Sequence, residues 1–239
     1  MKCLILCAGY ATRLYPLTEI FPKPLLPVKN KPIIDYLIDD LETGGYVDEY
    51  IIVSNHKFVN HFYDWKKTRK ENIVIIDDGS TTNDNRLGAV RDIDLAIDRL
   101  NIKDDLLILA GDNLLDFSLN KFIEFFKSKN TSSVMAYYEK DSSTLSKRGV
   151  CSFDDNFLLT SMEEKPSNPK SNYCVPPFYI YKKEYLYLIK EGLDSGCKVD
   201  APGNFLEWFC KHSKCYVYLM PGKRHDIGSL EDYKKINKL

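Results

Sequence analysis

Nowhere in this sequence is there a run of about 18 apolar residues, so it offers no transmembrane candidate. Residues 4–7 are too short for the apolar core of a signal peptide, and a polar loop follows at once. An excess of charge of one sign is missing as well. Thirty-three Lys and Arg against 34 Asp and Glu leave a net charge of −1, which provides no bulk field toward nucleic acid or an anionic membrane. The 16 tyrosines are not interleaved with basic residues, so no base-stacking platform is expected. Histidine is scarce. His56, His61, His212 and His225 show no spacing suited to a Ser/His/Asp or Cys/His nucleophile, and no covalent intermediate is expected. Neither G-x-x-x-x-G-K-[ST] nor G-x-G-x-x-G is present. The seven cysteines are odd in number and scattered, a pattern that excludes a disulfide framework and fits a reducing cytoplasm. Cys210, His212 and Cys215 lie close together, but a fourth ligand and a C-x2-C half-site are lacking for zinc.

What the sequence does contain is concentrated in residues 6–32, LCAGYATRLYPLTEIFPKPLLPVKNKP. An apolar strand-like run over residues 1–6 leads into small residues, then Thr12 and Arg13, and ten residues later Lys23 between two prolines. Small side chains let backbone N–H groups approach an anion, and successive N–H groups in a turn form a concavity of positive potential. Arg13 can grip a phosphate through two hydrogen bonds, Lys23 can neutralise it as a point charge, and Pro22 and Pro24 restrict the backbone around that lysine. This is the chemistry of a triphosphate site.

Apolar β-type runs alternate with amphipathic helical stretches, which argues for an α/β fold with a largely parallel sheet. The pattern predicts strands at residues 50–54, 73–77 and 106–110, and later strands at 134–138, 150–153, 157–162, 179–181 and 215–219, some of them antiparallel. Helices are expected at residues 32–41, ended by Gly44-Gly45, and at 90–100, 117–128 and 230–236. No repeat, low-complexity block or linker divides the 239 residues, so one domain is expected.

The strand at 106–110 runs into Gly111-Asp112-Asn113, and an acid just past the carboxyl end of a buried strand sits where α/β sheets place ligand chemistry. His225-Asp226-Ile227-Gly228 follows another strand-like run and precedes a helix. Two such carboxylates brought together suit Mg²⁺, which prefers oxygen ligands and bridges phosphates. Asp77-Asp78 reads as a turn, and Arg86 reads as either a solvated side chain or a phosphate contact.

Over residues 6–32 the chain resembles the sugar-1-phosphate nucleotidyltransferases: a Gly-rich turn, then T-R-L-x-P-L-T, P-K-P-L-x-P-V and K-P. It is similar to the short, single-domain members without a C-terminal β-helix. The resemblance implies a Rossmann-like, doubly wound, mixed and mostly parallel sheet of the nucleotide-diphospho-sugar transferase type. It implies a nucleotide-binding half at about 1–115 and a sugar-phosphate-binding half at about 116–239. Cys7, Ala8, Gly9, Tyr10, Ala11, Thr12, Arg13, Lys23, Leu87, Gly88 and Asp112 fall on nucleotide-binding positions, with Arg13 and Lys23 as catalytic groups. Gly149, Glu164, Lys165 and Tyr179 fall on acceptor positions, Lys165 contacting the acceptor phosphate, while Asp112 and Asp226 match the ligands of Mg²⁺. The family's glycines are replaced at Ala8 and Ala11, and Pro176-Pro177 stands ahead of Phe178-Tyr179-Ile180-Tyr181 where the family has glycine. The loop is therefore expected to follow a slightly different path while still binding triphosphate through its N–H groups.

The reaction implied is Mg²⁺-dependent condensation of an NTP with a sugar 1-phosphate to give an NDP-sugar and pyrophosphate. Other readings stay open at this point. One is cytidylyl transfer to phosphocholine or a phosphonate, for which Tyr179, Tyr181 and Trp208 would supply an aromatic cage. Another is a non-catalytic nucleotide-sugar-binding regulator, although Lys23 and both aspartates are kept. A retaining glycosyltransferase would need a D-x-D after the relevant strand, and none follows it. The base, the acceptor and the oligomeric state are not legible.

Overall fold

The computed structural model describes residues 1–238. In chain order its elements are β1 (Lys2–Leu6), β2 (Pro27–Val28), β3 (Lys31–Pro32), α1 (Ile33–Glu42), β4 (Glu49–Ser54), α2 (Val59–Lys66) and β5 (Ile73–Asp77). There follow α3 (Ala89–Leu100), β6 (Leu106–Ala110), β7 (Asn113–Leu115), α4 (Asn120–Lys129), β8 (Ser133–Tyr138), β9 (Gly149–Phe153) and β10 (Leu159–Glu164). The remainder is β11 (Tyr173–Val175), β12 (Phe178–Tyr181), α5 (Tyr187–Asp194), α6 (Pro202–Phe209), β13 (Tyr216–Leu219), β14 (Arg224–Asp226) and α7 (Leu230–Lys238). The expected Rossmann-like α/β fold, a mixed sheet with flanking helices, is present.

The chain forms two compact units: residues 1–86, 110–120 and 222–239 make the first, residues 87–109 and 121–221 the second. In the first unit β1, β4 and β5 are parallel, with Leu4 beside Ile51 and Ile51 beside Val74. Cys3, Leu4, Ile5, Ile51, Ile52 and Val53 are all fully buried, which explains continuous apolar runs in place of alternation. Helix α1 buries Ile33, Ile34, Leu37, Ile38 and Leu41 along one face, the spacing of a 3.6-residue turn. A satellite core of Leu14, Leu26, Val28, Ile33 and Ile227 gathers the loop after β1, the β2–β3 ribbon and the start of the C-terminal segment.

The second unit is largely antiparallel. There β12 pairs with both β6 and β8, β11 with β8 and β9, and β9 with β10, while β13 runs parallel to β8. Helix α6 begins with Pro202 in its first turn, and the Asn204 side chain accepts from the Ala201 N–H at 3.0 Å. Among the described residues no helix is long and apolar enough to cross a membrane.

Candidate active site

The loop after β1 is pinned at its start and left open further on. The Cys7 N–H donates to the Val53 carbonyl at 2.8 Å, and the fully buried Asn55 donates from Nδ2 to the Ala8 carbonyl at 2.9 Å. Ala11 takes the left-handed conformation, φ 46° and ψ 42°, despite its β-carbon. Its carbonyl accepts from the Leu14 N–H at 2.9 Å and from Thr18 Oγ1 at 2.8 Å, two bonds that hold a conformation alanine disfavours. The N–H groups of residues 9–13 donate to no described residue, and a left-handed turn with successive open N–H groups is an anion concavity. Arg13 is exposed and makes no ion pair with a described residue.

Lys23 opens a single 3₁₀ turn, Lys23–Leu25, after the extended Pro22. Its side chain is only 7% exposed, and its Nζ lies 2.7 Å from Asp112 Oδ2 and 3.5 Å from Asp226 Oδ1. A buried ammonium without such partners would be strongly unfavourable. Gly111 makes this geometry possible: a β-carbon there would stand 2.6 Å from Cys7 Sγ, and the Gly111 N–H donates to the Leu6 carbonyl at 3.1 Å. Burial first, and then the Asp112 charge, push the Cys7 thiol well up, so Cys7 is a neutral packing residue under the turn. The antiparallel ribbon of β7 and β14 sets Asp226 opposite Asn113 and so delivers the second carboxylate. The two acids singled out by the sequence are thus brought together around one lysine.

Two residues to which the sequence reading gave no role complete this cluster. Asn113 is fully buried and donates from Nδ2 to Asp112 Oδ1 at 3.0 Å and to the Ala110 carbonyl at 3.1 Å. Arg224 Nη1 donates to Asn113 Oδ1 at 2.8 Å and lies 3.8 Å from Asp226 Oδ2. Nothing in the local sequence marks Arg224, because its partner stands 111 residues earlier.

In the second unit β9 and β10 place Gly149 opposite Glu164. Built β-carbons on Gly149 and Gly203 would lie 2.9 Å and 2.0 Å from Glu164 Oε2, so both glycines leave room for that carboxyl group. Burial pushes the Glu164 carboxyl up; the Lys165 charge opposes this, while Glu207 and Asp200 add to it. Lys165 has a left-handed backbone, φ 53°, and its half-exposed Nζ is 3.7 Å from Asp200 Oδ2. Tyr179 is 3% exposed in β12. Gly88, at φ 92°, precedes α3, and a β-carbon there would meet the Val199 carbonyl oxygen at 2.6 Å. Backbone packing against residues 199–200 therefore requires this glycine; Leu87 adjoins it, and the Val90 N–H donates to the Val199 carbonyl at 3.0 Å.

The sequence profile described as nucleotidyl transferase matches residues 2–239. The chain belongs to this family. A relative from Methanocaldococcus jannaschii, the bifunctional protein GlmU, is 30% identical over 241 residues, covering 100% of this chain and 54% of its own length. Glucose-1-phosphate thymidylyltransferase of Mycobacterium tuberculosis is 28% identical over 214 residues, covering 86% of this chain and 67% of its own. The chain thus spans between about half and two thirds of the length of these curated relatives. A UDP-glucose pyrophosphorylase, solved with UDP-glucose, superposes with a TM-score of 0.82 at 22% identity, covering 99% of this chain and 97% of that one, and shows the shared fold.

Several other candidates have local roles. Arg86 donates to Asn83, within the turn it belongs to. Asp77 and Asp78 accept the Gly79 and Ser80 N–H groups, as turn residues do. Tyr179 and Tyr181 are core side chains, Tyr181 packed edge-on by Phe205 and Phe209, and Trp208 stacks on His212; these three rings do not form the open aromatic cage that a quaternary ammonium acceptor would require. Among the described residues no group of three or more His, Cys, Asp or Glu is placed to hold a metal, so Asp112 and Asp226 stand as a pair, and Cys210, His212 and Cys215 do not assemble a zinc site.

Proposed function

We propose that this chain transfers a nucleotidyl group from an NTP to a sugar 1-phosphate, releasing pyrophosphate and an NDP-sugar. The observation that carries the proposal is the buried Lys23 held between Asp112 and Asp226 next to a loop with open N–H groups. An acceptor phosphate oxygen attacks the α-phosphorus, a new P–O bond forms, and the bond to pyrophosphate breaks. The protein's part is positioning and neutralising charge. The N–H groups of residues 9–13 and the exposed Arg13 guanidinium would take the β- and γ-phosphates and the charge that collects there on departure. Lys23 would reduce the repulsion between the α-phosphate and the incoming dianion. Lys165, with Glu164 and Gly149, would hold the acceptor.

Mg²⁺ fits the residues present. Asp112 and Asp226 each turn one carboxylate oxygen to the same cationic Nζ, and a pair of oxygen donors that leaves further positions to water and phosphate suits this ion. When bound it would neutralise phosphate charge. The nucleotide half is proposed to lie in about residues 1–115 and the acceptor half in about 116–239.

The test is a panel of ATP, GTP, CTP, UTP and dTTP against several sugar 1-phosphates with Mg²⁺, read by pyrophosphate release. One pairing is expected to exceed the others by about tenfold or more, and Asp112→Asn should retain less than about a tenth of that rate, a barrier increase above ~1.4 kcal/mol. Absence of release from every pairing, or full activity in Asp112→Asn, would sink the proposal.

A further inference from the structure

Each of the two carboxylates has one oxygen facing Lys23 and another facing away from it. The forward oxygens are Asp112 Oδ2 and Asp226 Oδ1. Of the rear oxygens, Asp112 Oδ1 accepts from Asn113 Nδ2 at 3.0 Å, while Asp226 Oδ2 lies 3.8 Å from Arg224 Nη1, an ionic contact longer than a hydrogen bond. Arg224 has donors only, so its 2.8 Å contact fixes which end of the Asn113 amide faces it: the oxygen. The amide nitrogen is thereby turned toward Asp112 and the Ala110 carbonyl. Both groups are well shielded, Asn113 with no exposure and the Arg224 side chain at 13%, where such bonds are little weakened by solvent.

We infer that Arg224 is a positioning residue for the metal carboxylates, acting on Asp226 directly and on Asp112 through Asn113. Its charge draws the rear oxygen of Asp226, and the Asn113 amide holds the rear oxygen of Asp112, so that one oxygen of each aspartate is kept on the side where a divalent cation would be held. This inference rests on the Mg²⁺ reading above and adds to it a residue from outside the expected motifs.

Charge alone predicts the opposite consequence. Arg224 is a cation beside a cation site, and by Coulomb's law its removal should tighten metal binding. Loss of partners that orient metal ligands typically weakens binding by about 10- to 100-fold. The sign of the change therefore separates the two roles.

The experiment is titration of the full chain with Mn²⁺ alone, read from the EPR signal of the free aqua ion, on wild type, Arg224→Met and Arg224→Lys. Circular dichroism and thermal melting check that each variant is folded. Arg224→Met should weaken Mn²⁺ binding by about tenfold or more. Arg224→Lys, which keeps the charge but loses the planar fork, should weaken it by about threefold or more. Unchanged or tighter binding in a folded Arg224→Met overturns the positioning role and leaves the metal reading intact. If Arg224→Met does not fold, the same comparison in Arg224→Lys decides. Absence of Mn²⁺ binding by the wild type at millimolar concentration overturns the metal reading, and the role of Arg224 with it.

Discussion

At the scale of single residues, several groups of the proposed site sit in conditions that folding alone would not favour. Lys23 is a buried cation, Ala11 and Lys165 are non-glycine residues in the left-handed region, and Glu164 is a carboxyl group pushed up by burial. Glu164 yields a test with a definite sign. Its folded-state pKa is raised above the usual 4.5, so the folded protein holds this proton more tightly than the unfolded chain does. Stability is therefore lost as pH rises from the ordinary carboxyl range through the raised value, and stays lower above it. Glu164→Gln should be more stable than wild type at pH 7 in urea unfolding, and the gap should close near pH 4. The same variant should bind the acceptor more weakly, because the carboxylate is lost. A stability gap of equal size at both pH values would show that the carboxyl charge is not its source.

At the scale of elements, Gly88 joins a positive φ to a backbone contact that no side chain tolerates, since the Val199 carbonyl occupies the space of its β-carbon. Gly88→Ala should cost about 3 kcal/mol, combining the strained conformation with displacement of that carbonyl and of the bond it accepts from Val90. Chemical denaturation of the variant measures this, and a loss under about 1 kcal/mol would mean that the α3 start readily moves. Elements of this kind divide by how they read in sequence. Strands β5 and β6 match the predicted runs to the residue, because each is built on at least four consecutive apolar residues. Helices α2, α5 and α6 went unread: at eight residues each they span barely two turns, too few for a 3.6-residue period to stand out. The ribbon of β7 and β14 has three residues per strand, and only its long-range pairing defines it. Likewise, the motifs named Lys23, Asp112 and Asp226, but burial of the lysine depends on a partner 89 residues away, which no local pattern encodes.

At the scale of the molecule, neither compact unit is one continuous stretch of chain. The first unit takes back residues 222–239, and with them Ile227, which is fully buried against Leu14, Leu26, Val28 and Ile33. Tyr233 adds a hydrogen bond from Oη to the Pro27 carbonyl at 2.6 Å. A chain shortened to residues 1–221 should therefore lose several kcal/mol from this unit, about 2–5 for the Ile227 side chain alone. Limited proteolysis should cut such a chain within residues 1–86 about tenfold faster or more than the full chain. Equal cleavage rates would show that the first unit is stable without its last segment.

The span between Asn113 and Arg224 also sets a timetable. At roughly 5–20 residues per second, translation needs on the order of 6–20 s to make the 111 residues that separate them. During that interval Lys23 has Asp112 as its one carboxylate partner in the cluster, and neither Asp226 nor the guanidinium behind it exists. A growing chain therefore acquires the loop after β1 well before its pair of acids, so the cluster around Lys23 is completed only after residue 226 has been made.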